Sequence, residues 1–339
     1  MTKVLFVHST ASFGGASKSL SELGKFLSKS AKLSVVTPNG DVVSFFNDSG
    51  FTVYTSNISQ FNHTEYGYYQ GFRWVVLFRE LIFLPVSFYK INKLIRLNNF
   101  DLIHLNEVTL LPWAWFFKKR GFPVVVHVRS VYKPFTNSIR DRFFMNLFKK
   151  YVDHVVAIDE TVKTSLPEGL PVSVIHNGLK FDQGYPKPRE FELSPNAELN
   201  VCIVGSLLRL KGLYEFIGAC KILFAKDFNI KFHIVGTNPR ENGFVASAYK
   251  WFGLYDDVEG DLKNFVAENN LEKNVKFHGL VKDIASFYQN MDVVCFPSYY
   301  NAPGRPVFEA AYYGIPSIVA VDRPTKDTII DNETGLVIE

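Results

Sequence analysis

The chain has 339 residues, with 37 Lys and Arg against 33 Asp and Glu, and 47% of its side chains are hydrophobic at a mean hydropathy of +0.02. That length suffices for two domains of ordinary size, and the composition excludes a disordered chain or an integral membrane bundle. Cys202, Cys220 and Cys295 sit in apolar contexts without paired spacing, and MTKVLFVHS runs straight into a strand with no secretion signal, so a cytoplasmic protein with reduced thiols is expected.

Strands and helical patterns alternate along the chain. KVLFVHS (3–9) leads into a helix from about Ala16, with Leu20, Leu23, Phe26 and Leu27 on one face. KLSVVTP (32–38), FTVYT (51–55), DLIHL (101–105), PVVVHV (123–128), HVVAI (154–158) and VSVIH (172–176) follow. Near-continuous Val/Ile/Leu runs between helices predict a parallel sheet covered on both faces. A Pro- and charge-rich linker, 184–198, separates this series from a second one. The second comprises NVCIVGS (200–206), a helix carrying Leu213, Phe216, Ile217, Cys220, Leu223 and Phe224, then KFHIVGT (231–237), VKFHG (275–279), DVVCFPS (292–298) and PSIVA (316–320). The fold class is therefore α/β: two Rossmann-like, doubly wound domains, 1–183 and 199–339, facing across a cleft that takes the ligand at the strand carboxyl ends.

Within the first series, 74–97 is the most apolar stretch, yet Arg79, Glu80 and Pro85 interrupt it as a spanning helix. It reads as a core-packing helix kinked at the proline, against a minority reading as a membrane-surface helix. Residues 1–185 carry a net charge of +8 and residues 186–339 a net −4, and the basic half also holds the aromatic run FNHTEYGYYQGFRW (61–74). Such a half suits an anionic partner, although solvated lysines give the same count. No recognition helix, zinc-finger spacing or RNP motif points to nucleic acid.

Residues with site chemistry gather at predicted strand ends. Gly14 and Gly15, in SFGGASKSL, allow close backbone approach to a ligand, or serve a tight strand-to-helix turn. His127, with Arg129 two residues on, ends a strand and could contact a sugar or move a proton, or be a structural histidine. Arg209 and Lys211 precede a helix, where a diphosphate needs fixed charge, or are simply solvated. After DVVCFPS a Gly/Pro-rich loop feeds a helix whose first full turn carries Glu309, an arrangement for phosphate at the backbone N–H groups and ribose at the carboxylate. The competing reading makes Glu309 a solvated first-turn residue favoured by the helix dipole.

Taken together, FGGA, His127, VIHNG, VGSLLRLKG, FHIVG, FHGLVKDIASFYQNMDVVCFPS, GRPVFEAAYYGIPSIVA and NETGLVIE resemble the family-four retaining glycosyltransferases of GT-B fold, in the family's order and over nearly the whole chain. The resemblance implies transfer of a sugar from a nucleotide-sugar donor to a hydroxyl acceptor with retention. It implies that Lys211 holds the donor diphosphate, Glu309 the ribose, Gly15 the glycine loop near the phosphates and His127 the transferred sugar. The backbone of Ala302, Pro303, Gly304 and Arg305 would bind phosphate or sugar, and Val281 would lie against the base. Two positions depart from the pattern: Asn301 stands where the first glutamate of the family's pair is expected, and Ser206 where an arginine follows the glycine, with Arg209 nearby as a substitute.

The segment 238–274 is longer than usual, and the chain stops after NETGLVIE, as a minimal variant or a fragment would. No Asp-x-Asp triplet occurs, so metal-independent activity without a cofactor is expected. Expected partners are the nucleotide sugar, a glycan or lipid-linked acceptor, and an anionic membrane surface at the inner face, with no nucleic acid. A non-catalytic nucleotide-sugar-binding module and a GT-B nucleotide-sugar epimerase are the alternatives. A dehydrogenase is poorly supported, because no GxGxxG follows a strand.

Overall fold

The structure is a computed structural model that describes residues 1–62, 74–132, 138–179, 198–238, 256–281, 283–300 and 302–338. The linker 184–198 (save its last residue), most of the aromatic run 61–74, residues 239–255 of the long segment, and Asn301 lie outside the described residues. The chain divides into two compact units, Met1–Lys180 and Phe181–Glu339.

In the first unit the elements are β1 (Thr2–Val7), α1 (Gly15–Leu27), β2 (Ala31–Thr37), α2 (Val42–Asp48), β3 (Thr52–Thr55), α3 (Trp74–Leu97), β4 (Leu102–Leu105), α4 (Pro112–Lys118), β5 (Val124–Val128), α5 (Ile139–Tyr151), β6 (His154–Ala157), α6 (Glu160–Ser165) and β7 (Val172–Val174). The seven strands form one sheet in the order β3-β2-β1-β4-β5-β6-β7, and every pairing is parallel. Strand order reverses beside β1, which makes the crevice between β1 and β4 the switch point where ligands bind such sheets.

Each sheet face has its own core. Leu5, Ile103, Val126, Ile91, Trp113 and Phe148 build the one under α3, α4 and α5. Val4, Phe6, Leu33, Leu20 and Phe46 build the other, under α1 and α2. On α1, Leu20 is buried as expected, but Phe26 points to solvent, because six helical residues turn it about 120° from Leu20. Gly24 takes the inward place instead: a Cβ there would lie 2.3 Å from the Phe51 ring.

The second unit contains β8 (Leu199–Val204), α7 (Leu213–Phe224), β9 (Ile230–Val235), α8 (Val258–Glu268), β10 (Val275–Gly279), α9 (Ile284–Tyr288), β11 (Val293–Phe296), α10 (Arg305–Tyr312), β12 (Ser317–Ala320) and β13 (Gly335–Ile338). Its sheet order is β10-β9-β8-β11-β12-β13, again parallel throughout. The switch point lies between β8 and β11. Leu213, Phe216, Ile217 and Cys220 of α7 are buried as their spacing predicts, while Phe224 is exposed at the helix end. All three cysteines are free thiols.

The helix α3 packs on the core as expected through Ile91 and Ile95, with Leu84, Phe88 and Leu94 against it, and departs from that expectation toward its start. It runs through Pro85 without a break in the helix, and only Ile91 and Ile95 of its apolar residues are buried. Its inward positions before Ile91 hold Glu80 and Ser87.

Candidate functional site

In the second unit, the loop leaving β8 and the loop leaving β11 are clipped together. Ser298 Oγ donates to the Leu210 carbonyl at 3.2 Å, and the Tyr299 N–H donates to the same oxygen at 3.1 Å. The Tyr299 hydroxyl reaches Glu215 on α7 at 2.6 Å. Gly212, at φ +75°, lies where any Cβ would come within 1.9 Å of the Pro297 carbonyl, so only glycine permits this approach.

That clip places Lys211, in a single 3-10 turn, over aromatic rings. Its Nζ lies 5.0 Å from the Phe296 ring centre and 5.2 Å from that of Tyr300. Burial pulls its pKa down to about 8. A partly buried ammonium held against ring faces is poorly hydrated and attracts an anion strongly. Arg209, by contrast, is exposed, its guanidinium 5.4 Å from the Tyr214 ring, and Ser206 is also exposed.

The same Phe296 ring supports α10. A Cβ on Gly304 would lie 2.2 Å from it, so the glycine lets the helix start close against the ring. Gly304 is the N-cap, Arg305 and Pro306 open the helix, and Pro303 is buried before them. Lys211 and the first backbone N–H groups of α10 therefore flank one aromatic ring at the switch point. A fixed cation beside a helix N-terminus is an anion site.

Glu309 is the fifth residue of α10, in its second turn, and is 5% exposed. This corrects both its first-turn placement and its solvated alternative. Arg305 Nε donates to Oε1 at 2.8 Å and the Tyr288 hydroxyl to Oε2 at 3.1 Å. The Tyr288 pKa is raised well above its usual value, by burial and then by the Glu309 charge. The Arg305 side chain, expected to serve only through its backbone, thus joins the site; an Arg four residues before a buried Glu is a helix pair that spacing alone could have signalled. Val281 is partly buried in the turn after β10, and Asn301 lies outside the described residues.

In the first unit, polar side chains meet at the carboxyl edge of the sheet. Arg129 Nε donates to Asn106 Oδ1 at 2.9 Å and Nη1 to Asn177 Oδ1 at 2.8 Å. Asn106 Nδ2 donates in turn to His8 Nδ1 at 3.0 Å, leaving His8 Nε2 to donate to Thr10 Oγ1 at 2.8 Å. This relay holds His8 neutral, and burial with the Arg129 charge takes its pKa down to about 4.

His127 is buried within β5, beside His104, with ring centres 5.4 Å apart. Burial, then Arg129, then His104 hold its pKa well below the usual value. Arg129 Nη2 faces its Nδ1 at 3.4 Å, which leaves Nε2 to carry the proton, and that buried atom finds no hydrogen-bond partner among the described residues. Glu107 accepts from the Val108 N–H at 2.8 Å and from Ser130 at 3.1 Å, and burial raises its pKa. Asn106 and Glu107 escaped the sequence reading, because they follow β4 without any motif around them, and Asn177 lies within the VIHNG motif, which gave it no role of its own.

Gly14 caps α1 with extended backbone, and neither Gly14 nor Gly15 has an atom within 4 Å of a built Cβ. The turn itself does not demand glycine there. Open space above a helix N-terminus at the switch point is what a closely approaching ligand requires. Among the described residues, no three His, Cys, Asp or Glu side chains gather as a metal site, and no helix is long and apolar enough to cross a membrane.

Two parallel, doubly wound sheets, each with a switch-point crevice, define a two-unit nucleotide-binding class of α/β protein. Residues 13–183 match the family described as Glycosyltransferase Family 4, and residues 186–339 the one described as Glycosyl transferases group 1; the chain belongs to these family-four, GT-B glycosyltransferases. The capsular polysaccharide biosynthesis glycosyltransferase CapM of Staphylococcus aureus is 27% identical over 198 residues, 55% of this chain and 48% of that protein. The D-inositol 3-phosphate glycosyltransferase of an Arthrobacter species is 25% identical over 149 residues, 43% of this chain and 32% of that protein. The alignment with CapM thus spans about half of that relative's length.

Among solved structures, Anabaena Alr3699/HepE in complex with UDP and glucose superimposes with a TM-score of 0.73 at 20% identity, covering all of this chain and 86% of that one. Staphylococcus aureus TarM, in a complex with UDP, superimposes with a TM-score of 0.69 at 13% identity, covering all of this chain and 90% of the other. At these identities the likeness is one of fold.

Proposed function

We propose that the chain transfers a hexosyl group from a nucleoside-diphosphate sugar to a hydroxyl of a glycan or lipid-linked saccharide, with retention and without a metal ion. The observation that carries this reading is the pairing of Lys211 with the start of α10 on either side of Phe296, one turn before the buried Glu309. Diphosphate oxygens suit the ammonium and the helix N–H groups, and ribose hydroxyls suit the carboxylate.

In the step proposed, the bond from the anomeric carbon to the diphosphate oxygen breaks as a bond to the acceptor oxygen forms on the same face. The acceptor proton passes to the departing diphosphate. Lys211 and the α10 N–H groups stabilise the charge developing there, which is the main catalytic contribution. His127 keeps the role that the family resemblance implies, contact with the transferred sugar, on the condition that donor binding uncovers its buried Nε2. Val281 lies against the base, and the backbone of Ala302–Arg305 lines the phosphate. The kinship with CapM supports a role in polysaccharide assembly, and the net +8 of the first half supports an acceptor presented at an anionic membrane surface.

The test is calorimetry with UDP-, GDP- and ADP-sugars on the wild type, Lys211→Met and Glu309→Gln, with thermal unfolding of each variant alongside. One donor class should bind, and both substitutions should remove most of that affinity in folded protein. Binding of none of the donors by the wild type would overturn the reading. Donor binding without transfer to any acceptor in a panel would favour the binding module. UDP-sugars come first, because the Anabaena relative was solved with UDP and glucose.

A further inference from the structure

The carboxylate of Glu309, the proposed ribose acceptor, is already held at both oxygens. Arg305 Nε donates to Oε1 at 2.8 Å and the Tyr288 hydroxyl to Oε2 at 3.1 Å. The Arg305 and Glu309 side chains are only 13% and 7% exposed, so a ribose hydroxyl reaching Oε1 competes with Arg305 in a nearly closed space. Of the two partners, Arg305 is the one that can yield. Tyr288 is fully buried, its ring stacked on Tyr313 with centres 5.9 Å apart.

Arg305 also stands where a helix disfavours a cation. It is the first residue of α10, at the positive end of the dipole, and the first turn holds no acidic residue. A basic residue four places before its acid is the less favourable order of a helical pair. An anion bound at the N-terminus relieves both. The β8 loop alone supplies an incomplete set of charges for such an anion. Lys211 shares the Phe296 ring with the start of α10, but burial lowers its pKa to about 8. Arg209 is exposed and turned onto Tyr214, 5.4 Å from the ring centre, and Ser206 is uncharged. A nucleoside diphosphate brings several negative charges to this place.

We infer that Arg305 is the second cation of the donor site and exchanges partners when the donor binds. Its guanidinium leaves Glu309 Oε1 for the diphosphate oxygens, and a ribose hydroxyl donates to the oxygen released. Four residues of helix rise about 6 Å, comparable to the span from the ribose hydroxyls to the 5′ phosphates of a nucleotide, so one face of α10 serves both groups. The guanidinium stays paired with an anion throughout and gains the planar two-point contact that phosphate offers. Glu309 keeps Tyr288 and takes a neutral donor in place of an ionic one. Ligand charge thereby becomes the condition for ribose recognition, and a nucleoside without phosphate does not open the pair. The inference rests on the proposed donor site and gives Arg305 a part in it that the unliganded pairing conceals.

The test is calorimetry of the full chain with UDP and with inorganic diphosphate, which lacks a ribose, with thermal unfolding of every variant alongside. GDP or ADP replaces UDP if the wild type prefers it. Arg305→Gln should weaken both ligands about tenfold or more, and Arg305→Lys, which keeps the charge, should recover part of that loss. Glu309→Gln should weaken the nucleotide yet bind inorganic diphosphate several-fold more tightly, because Arg305 no longer has a carboxylate to leave. That gain should vanish in the double variant Arg305→Gln/Glu309→Gln. A pair that only holds α10 in place weakens both ligands in both single variants, and this result would overturn the inference. So would a gain that survives in the double variant, since it would then come from lost repulsion by Glu309. UDP binding with which inorganic diphosphate does not compete would overturn it too, because phosphate charge alone must draw Arg305 away. A wild type that binds no nucleotide removes the proposed donor site and the inference with it. Binding of both ligands that Arg305→Gln leaves intact removes the inference alone.

Discussion

Arg305 Nε donates to Glu309 Oε1 at 2.8 Å, one turn apart on α10, with both side chains largely withdrawn from water. The pair makes the Glu309 carboxylate a structural group as well as the proposed ribose acceptor. Removing it leaves a guanidinium and the Tyr288 hydroxyl facing a void. Glu309→Ala should therefore destabilise the protein by about 3 kcal/mol, the cost of breaking a buried ion pair, whatever its effect on the donor. Glu309→Gln retains an acceptor oxygen for Arg305 and should cost less while still weakening donor binding. Thermal unfolding of the two variants, with and without a saturating donor, separates the roles.

Lys211 gives a prediction about protons. Burial lowers its pKa to about 8, so the ammonium and amine forms coexist near that pH in the unliganded protein. A bound diphosphate favours the ammonium and raises the pKa again. Binding at pH 8 should then take up about half a proton, read as a difference in calorimetric enthalpy between buffers of different ionisation heat. Uptake should vanish in Lys211→Met. Donor affinity should fall as pH rises through 8, since the charged form that binds is lost in that direction.

Gly212 couples the backbone to that lysine. At φ +75° and with the Pro297 carbonyl 1.9 Å from any added Cβ, Gly212→Ala must move either its own turn or the β11 loop. The cost should be about 2 kcal/mol, combining left-handed strain with the steric overlap. Because Lys211 is the adjacent residue, donor affinity should fall together with stability. Gly218→Ala, within α7 where an added Cβ meets nothing, should leave donor affinity unchanged and raise stability by about 0.4–1 kcal/mol. Chemical denaturation and donor titration of the two variants check this.

The parallel sheets were legible in the chain because buried strands read as runs such as VVVHV and NVCIV, and β1 through β12 fall within a residue or two of those runs. The short helix α2 carries too few turns for a period to show, and β13 lies within NETGLVIE, which was read as a motif and not as a strand. What periodicity could not report is which stripe of a helix faces inward. Residues 74–97 are the most apolar stretch of the chain, and their orientation is set by Glu80 and Ser87 reaching the 57–60 segment, contacts between residues some twenty or more apart. The Arg129–Asn106–His8 relay is likewise assembled from three separate strand ends.

The buried histidines set the acid limit of the first unit. His104 lies under Phe6, with ring centres 4.7 Å apart, and its Nε2 has no hydrogen-bond partner among the described residues. Burial, then the Arg129 charge, takes its pKa down to about 3, and His8 is lowered to about 4. A histidine kept neutral in the folded state takes up a proton only on unfolding at pH values between its folded pKa and the ordinary 6.5. Its contribution to stability is therefore present above 6.5 and is lost progressively as pH falls below it, down to about 3 for His104. His104→Phe removes one such proton and fills the site with an apolar ring. Between pH 7.5 and pH 5 the variant should lose about 2 kcal/mol less stability than the wild type. Urea denaturation at these two pH values measures the difference directly, and equal losses in both proteins would mean that His104 is already charged in the native state.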